Sequence, residues 1–105
     1  MLSKKLLSQN NNVFFDPSNT PNDSVTFGHI VFQPGERIPK EGLTCHEGDE
    51  YSFVIRGKAQ CEVGGEARVA SAGEAMFIPA GELHYTHNTA AEPFEVVYAL
   101  AKRSS

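Results

Sequence analysis

Short apolar or β-branched runs, each ended by glycine or proline, restrict the fold of this chain more than any other feature of its sequence. Such runs recur about every ten residues, which is typical of strands joined by tight turns. A capped helical pattern does not occur. The runs predicted to be strands are 25–32, 51–55, 59–63, 66–70, 75–78 and 94–101. Gly64-Gly65 is predicted to be a two-residue hairpin turn between the third and the fourth of these runs. Many short strands at even spacing indicate an all-β sandwich, jelly roll or barrel.

The length and the composition set limits on what the chain can be. With 105 residues it can form one hydrophobic core but not two. Its net charge is −4 and its basic residues form no long run, so nucleic acid is not an expected partner. Two cysteines make no disulfide framework. The apolar part of the N-terminus is too short for a signal peptide or a membrane span, so we expect no membrane partner and a cytoplasmic protein.

Two stretches, 44–57 and 73–88, carry the residues that are suited to chemistry. Each holds imidazole or carboxylate groups beside an apolar strand-like run, and each is punctuated by glycines where the chain must turn. His46, Glu50 and His84 together supply two neutral nitrogens and one carboxylate oxygen. These donors suit a divalent first-row metal ion, and the three residues are therefore the predicted ligands.

The two stretches resemble the paired motifs of the cupin family. The second stretch matches the pattern G-x5-P-x-G-x2-H-x3-N at Gly73, Pro79, Gly81, His84 and Asn88. The first motif, G-x5-H-x-H-x3,4-E-x6-G, is matched by His46, Glu50 and Gly57. Its earlier histidine is absent, because Thr44 stands there, and its opening glycine is out of register. The 15 residues between Gly57 and Gly73 resemble the spacing of small bacterial single-domain cupins.

The resemblance implies a double-stranded β-helix, a small antiparallel barrel of jelly-roll type with one open mouth. On this basis we expect an N-terminal arm and loop over 1–24, a cupin barrel over 25–101 and a polar tail over 102–105. Residues 1–12 are interpreted either as a mobile arm or as a strand that packs on a partner subunit. A barrel of this size has an interior just wide enough for side chains or one small ligand.

Strand alternation predicts which side chains share the interior. Residues on one face of a strand are two apart, so one face should present Thr44, His46, Glu50 and Ser52. By the same argument Thr86 and Asn88 should accompany His84. Thr44, Ser52, Thr86 and Asn88 are thus the candidate cavity-lining residues. Cys45 should face away from the cavity and is not expected to be a ligand.

A divalent ion on two imidazoles and one carboxylate has a net charge of about +1 and open coordination positions, as in the facial triad of non-haem iron proteins. The expected cofactor is Fe, Mn, Ni or Zn, and the expected substrate is a small oxygen-rich or anionic molecule. A threonine hydroxyl replaces imidazole poorly for such metals. Thr44 therefore leaves two alternatives, a three-ligand site of lower affinity or a barrel that has lost its metal.

Several functions stay open on the sequence alone. One is a metal-dependent enzyme of the oxygenase, isomerase or lyase-like class, and another is a non-catalytic barrel that binds or senses a small ligand. A third is a purely structural or interaction role through an apolar sheet face. The resemblance to cupins implies a homodimer, and Phe14, Phe15, Phe27 and Phe32 are the candidates for such a face.

The remaining polar and aromatic side chains are given structural roles. His29 and His87 are expected at the surface or behind the metal ligands, and Cys61 is expected to be inert. The tyrosines, at 51, 85 and 98, should be packing aromatics whose hydroxyls reach water.

Overall fold

Nine strands make up the regular structure of the computed structural model, which describes residues 1–7 and 10–103. In chain order they are β1 (Asn11–Phe15), β2 (Val25–Phe32), β3 (Arg37–Ile38), β4 (Gly48–Arg56), β5 (Lys58–Val63), β6 (Glu66–Ser71), β7 (Ala75–Ile78), β8 (His84–His87) and β9 (Phe94–Lys102). The described ranges contain no helix, and so none that could cross a membrane. The all-β prediction is confirmed.

The strands form two antiparallel sheets. One has the order β1-β2-β9-β4-β7 and the other the order β3-β8-β5-β6. Strands distant in the chain therefore lie side by side, and β9 pairs along its length with β2 on one edge and β4 on the other. The predicted hairpin at Gly64-Gly65 joins β5 to β6, and both glycines have the positive φ that such a turn requires. This arrangement is the double-stranded β-helix expected from the sequence.

The core between the sheets consists of alternate residues on the inner faces of the strands. Val54 and Phe94 are almost fully buried, and the Phe94 ring lies edge-on to Phe32 with centroids 5.7 Å apart. Burial of each such side chain contributes about 1.5–3 kcal/mol to stability. On β4 the inward residues before Val54 are Ser52 and Glu50, so the interior becomes more polar toward the start of that strand.

The chain ends differ in how far the structure describes them. Residues 1–24 were expected to be an arm and a loop. Within this range, β1 pairs with β2 of the same chain. Residues 1–7 form no regular structure. At the other end, β9 extends to Lys102, and residues 104–105 of the predicted tail lie outside the described residues.

His29 is buried on the outer face of the five-stranded sheet, contrary to the expected position at the surface or behind the metal ligands. Its Nε2 donates to the Glu95 carboxylate at 2.6 Å, and Arg56 donates to the other oxygen of Glu95 at 2.7 Å. The bond from His29 and then that from Arg56 hold the pKa of Glu95 below its ordinary value. Phe14 covers the imidazole, with the two ring centroids 6.5 Å apart.

Gly57 closes the turn between β4 and β5 and offers a test of this architecture. Its φ is +82°, and an added Cβ would lie 2.2 Å from the Pro93 carbonyl oxygen. Gly35 has a similar φ of +89° but open space around it. Left-handed strain costs either alanine variant about 1–3 kcal/mol. We predict that Gly57→Ala loses at least about 1 kcal/mol more than Gly35→Ala, because only the former also overpacks.

Urea denaturation of both variants would measure this difference. Equal losses of unfolding free energy would contradict the close approach of the loop before β9 to Gly57.

Candidate metal centre

The predicted ligands come from both sheets and from the segment that leads into β4. Glu50 lies on β4, His84 opens β8, and His46 precedes β4 by two residues. The backbones of Thr44 and His84 exchange two hydrogen bonds, of 3.0 and 2.8 Å. Gly81 N–H also donates to the His46 carbonyl at 2.9 Å. These backbone bonds carry the leading segment of β4 across to the opposite sheet, which places His46 beside His84.

A second tie holds the same two segments together. The Asp49 carboxylate accepts a hydrogen bond from Ala80 N–H at 2.9 Å, and it forms an ion pair with Arg103 at 2.8 Å. The bonds from Arg103 and then from Ala80 hold the pKa of Asp49 below its usual value. Asp49 therefore fixes the position of the loop before β8 relative to β4, although it points away from the ligands.

The geometry of the three side chains is compatible with a bound ion. One donor atom from each of His46, Glu50 and His84 lies within 4.8 Å of the other two. His46 Nε2 and Glu50 Oε1 are 3.4 Å apart, and the two imidazole centroids are 5.0 Å apart. Two ligands bound at about 2.1 Å with a tetrahedral angle lie about 3.4 Å apart. The separation of His46 and Glu50 therefore matches that of two ligands of one ion.

The hydrogen bond of His84 selects the tautomer whose Nε2 is available to a metal. Its Nδ1 lies 3.0 Å from the carbonyl oxygen of Glu82. A carbonyl can only accept, so Nδ1 carries the proton and Nε2 presents its lone pair. Metal-binding histidines commonly donate their second nitrogen in this way, which fixes the ring and its tautomer.

The three ligands differ in their access to solvent. His84 is buried, whereas the side chains of His46 and Glu50 are 34% and 20% exposed. The centre thus lies at the mouth of the barrel, with His46 on the solvent side. His46, Glu50 and His84 would hold an ion there, between the solvent and the interior.

A cavity of about 150 Å³ begins at these ligands and runs into the barrel. Thr44, Ser52 and Thr86, three of the predicted lining residues, lie in its wall. The apolar wall consists of Ile30, Phe32, Ile38, Met76, Phe94, Val96 and Leu100. A larger hollow of about 510 Å³ lies on the four-stranded sheet near Lys58 and Arg68, but none of its lining residues is a metal ligand type. The three predicted ligands therefore line the smaller of these two cavities.

Asn88, the fourth predicted lining residue, lies outside the cavity wall. It follows the last residue of β8, and its fully buried carboxamide makes three hydrogen bonds. The amide nitrogen donates to the carbonyls of Phe32 at 2.9 Å and Glu92 at 2.8 Å, and the amide oxygen accepts from Ala90 N–H at 3.0 Å. The side chain is therefore occupied in holding the loop before β9 against β2.

Tyr98 lines the cavity and was expected only as a packing aromatic. Burial, and then the negative charge of Glu50, raise the pKa of its phenol, so the hydroxyl stays protonated. Its ring crosses Gly28 on β2, where an added Cβ would lie 2.5 Å from the hydroxyl oxygen. Strand alternation could have predicted the inward position of Tyr98, because it shares one face of β9 with Phe94, Val96 and Leu100.

Neither cysteine takes part in the centre. Cys45 is exposed, and Cys61 is buried on β5 with its sulfur 3.7 Å from the Thr86 hydroxyl. Burial raises the pKa of the Cys61 thiol, which keeps it in the unreactive protonated form.

The fold and the candidate site describe a small β-barrel protein with a possible metal centre at its mouth. The chain belongs to the cupin family, since the family model for the cupin domain matches residues 28–100. A comparison with curated proteins found no match.

Solved structures share the fold at low sequence identity. A predicted oxalate decarboxylase from Thermotoga maritima has a TM-score of 0.76 and 22% identity, over 89% of this chain and 79% of that one. A protein from Thermus thermophilus has a TM-score of 0.72 and 24% identity, over 90% and 83%. KdgF from Halomonas sp. has a TM-score of 0.67 and 21% identity, over 90% and 79%. These likenesses establish the fold alone.

The role of Asn88 can be tested separately from metal binding. Asn88→Ala leaves the carbonyls of Phe32 and Glu92 and the N–H of Ala90 without this partner, and we predict a loss of about 2–3 kcal/mol of unfolding free energy. Metal affinity should stay within about twofold of wild type, because its side chain contacts no ligand.

Chemical denaturation and a metal titration on the same preparations would check both values. A variant that keeps its stability but loses metal would instead support the prediction that Asn88 lines the cavity.

Proposed function

We propose that the protein is a metal-binding cupin that binds, and acts on, a small oxygen-rich or anionic molecule through an open divalent metal site. The observation that carries this proposal is the convergence of His46, Glu50 and His84 from separate segments onto one point. The Glu82 carbonyl, by fixing the tautomer of His84, adds support.

The donor set indicates what a bound ion would do. Two neutral imidazoles and one carboxylate suit Fe, Mn, Ni or Zn. When bound, such an ion supplies a Lewis acid that polarises a coordinated oxygen. The protein's own residues position the ligand, since Thr44 and Thr86 line the cavity that begins at the donors. The apolar wall excludes water from the remainder of the bound molecule.

A non-catalytic binding or sensing role is the second candidate, and the residue at position 44 favours it. Thr44 stands where the family motif has an imidazole, so only three donors remain. The partial exposure of His46 and Glu50 also points to modest affinity. Purified protein that holds a stoichiometric redox-active ion would favour the enzyme, whereas protein without metal would favour the binding role.

The ligand assignment is tested by removing one imidazole from β8. His84→Ala should lower metal affinity at least about tenfold and leave little ion bound after dialysis, since two donors hold a divalent ion poorly. His87→Ala is the matched control, because His87 ends the same strand and does not line the cavity.

Metal content by plasma mass spectrometry, on protein expressed without an affinity tag, would measure the effect. Equal metal content in wild type and His84→Ala would refute the proposed site.

We also propose a homodimer formed through the outer face of the five-stranded sheet. One row across its strands consists of Phe27, Ala99, Tyr51 and Phe77 in register. The Tyr51 and Phe77 rings have centroids 5.1 Å apart, and both residues are about half exposed, as is Phe53. A continuous apolar face of this kind is typical of protein interfaces. Phe32, one of the residues expected on such a face, is buried in the core instead.

Charge on this face should separate the subunits. We predict that Phe53→Lys gives a monomer, because a lysine at each of two facing sheets would be desolvated without a partner. Val69→Lys is the control, since Val69 is 55% exposed on the other sheet and Phe53 is 45% exposed.

Light scattering coupled to size exclusion would report the mass of both variants. A wild-type monomer, or a Phe53→Lys dimer, would contradict the proposed interface.

A further inference from the structure

Among the described residues, the cavity of the candidate centre is lined by one carboxylate and two imidazoles but by no lysine or arginine. The carboxylate is that of Glu50. Once the centre holds a divalent ion with two neutral imidazoles, the local charge is about +1. One anionic group on a ligand therefore neutralises the site, and a second one would find no partner.

Basic groups outside the cavity wall have other partners. Lys102, which lines a separate hollow together with His46, is 3.6 Å from Glu47. Arg37 donates to the Pro39 carbonyl at 2.7 Å and stacks over the Tyr85 ring at 4.2 Å. Arg68 lies in an adjoining cleft and is 3.8 Å from Glu74. Met76 lines both this cleft and the cavity, and so forms part of the wall between them.

Beyond the ligands, the wall is apolar except for neutral hydroxyls. Tyr98 and Ser52 lie opposite each other on β9 and β4, and both line the cavity. Ser52 Oγ is buried and has no hydrogen-bond partner among the described residues. An unpaired buried hydroxyl is costly, and a ligand oxygen close to it would relieve that cost. The deeper wall is formed by Phe32, Phe94 and Val96, whose side chains can make only apolar contacts with the remainder of the ligand.

We propose that the cavity selects a small monoanionic chelator with an apolar body, such as an α-keto acid that carries an alkyl group, over a dicarboxylate of similar size. This inference rests on the proposed metal site and narrows its substrate class. The anionic end and the adjacent oxygen bind the ion, and the alkyl group occupies the apolar wall. The volume of about 150 Å³ agrees with a ligand well below drug size.

Two α-keto acids that chelate metal alike would test the selection. Calorimetry on Ni²⁺-loaded protein would compare α-ketoisocaproate, which has an alkyl end, with α-ketoglutarate, which has a second carboxylate. We expect α-ketoisocaproate to bind at least about tenfold more tightly, since burial of an unpaired carboxylate is strongly unfavourable. Equal affinities, a preference for α-ketoglutarate, or no binding of either would overturn the inference.

A charge introduced at the cavity should change this selection. Ile38 lines the cavity and is 44% exposed, so a lysine there can be accommodated while its ammonium reaches a bound carboxylate. Ile38→Lys should improve α-ketoglutarate binding at least about fivefold relative to α-ketoisocaproate. Leu43→Lys is the matched control, because Leu43 is also 44% exposed but does not line the cavity. An unchanged ratio in folded Ile38→Lys would count against selection by charge.

Failure of this inference and failure of the proposed function give different results. If His84→Ala keeps its metal, the ligand assignment is wrong and the inference falls with it. If metal binding depends on His84 but the two acids bind alike, the metal site stands and only the selection by charge is refuted.

Discussion

Two backbone hydrogen bonds between Thr44 and His84 are the constraint on which the candidate centre depends. They join the segment that enters the five-stranded sheet to a strand of the four-stranded sheet, and so bring together residues about forty positions apart in the chain. Backbone bonds of this kind do not depend on the side chain at position 44. The threonine can therefore alter the donor set while the placement of His46 and His84 is preserved.

The barrel holds polar and apolar groups in separate regions. This separation allows a well-packed apolar core and a carboxylate at the mouth to occur on the same strand. Val54 and Phe94 close the interior with well-packed carbon, whereas Glu50 stands four residues earlier on the same strand as Val54, where water still reaches it. A carboxylate at the depth of Val54 would carry a large desolvation cost. At the mouth, the nearby imidazole of His46 and partial hydration make the charge tolerable.

Local patterns predicted the long strands, the Gly64-Gly65 hairpin and the inward positions of His46, Glu50 and His84, because alternation and turn chemistry act over a few residues. Features set by distant partners were not predictable in this way. The side-chain position of Asn88 is determined by the carbonyls of Phe32 and Glu92, and that of His29 by the carboxylate of Glu95. The asparagine-rich β1 has poor strand propensity, yet it forms because β2 offers an edge to pair with. Strand β3 has two residues, too few for any period to be visible.

The thin wall at Met76 has a consequence for how this scaffold can diverge. On one side lies the cavity of about 150 Å³, and on the other a cleft of about 280 Å³ that Arg68 also lines. Met76 is unbranched and adaptable, and its truncation would leave both volumes in contact. A bulkier ligand and a guanidinium partner would become accessible through one substitution, without any change to the three candidate metal ligands. Ligand size and ligand charge in this barrel are thus linked through the residues that line both spaces, which are Glu50, Met76 and Thr86.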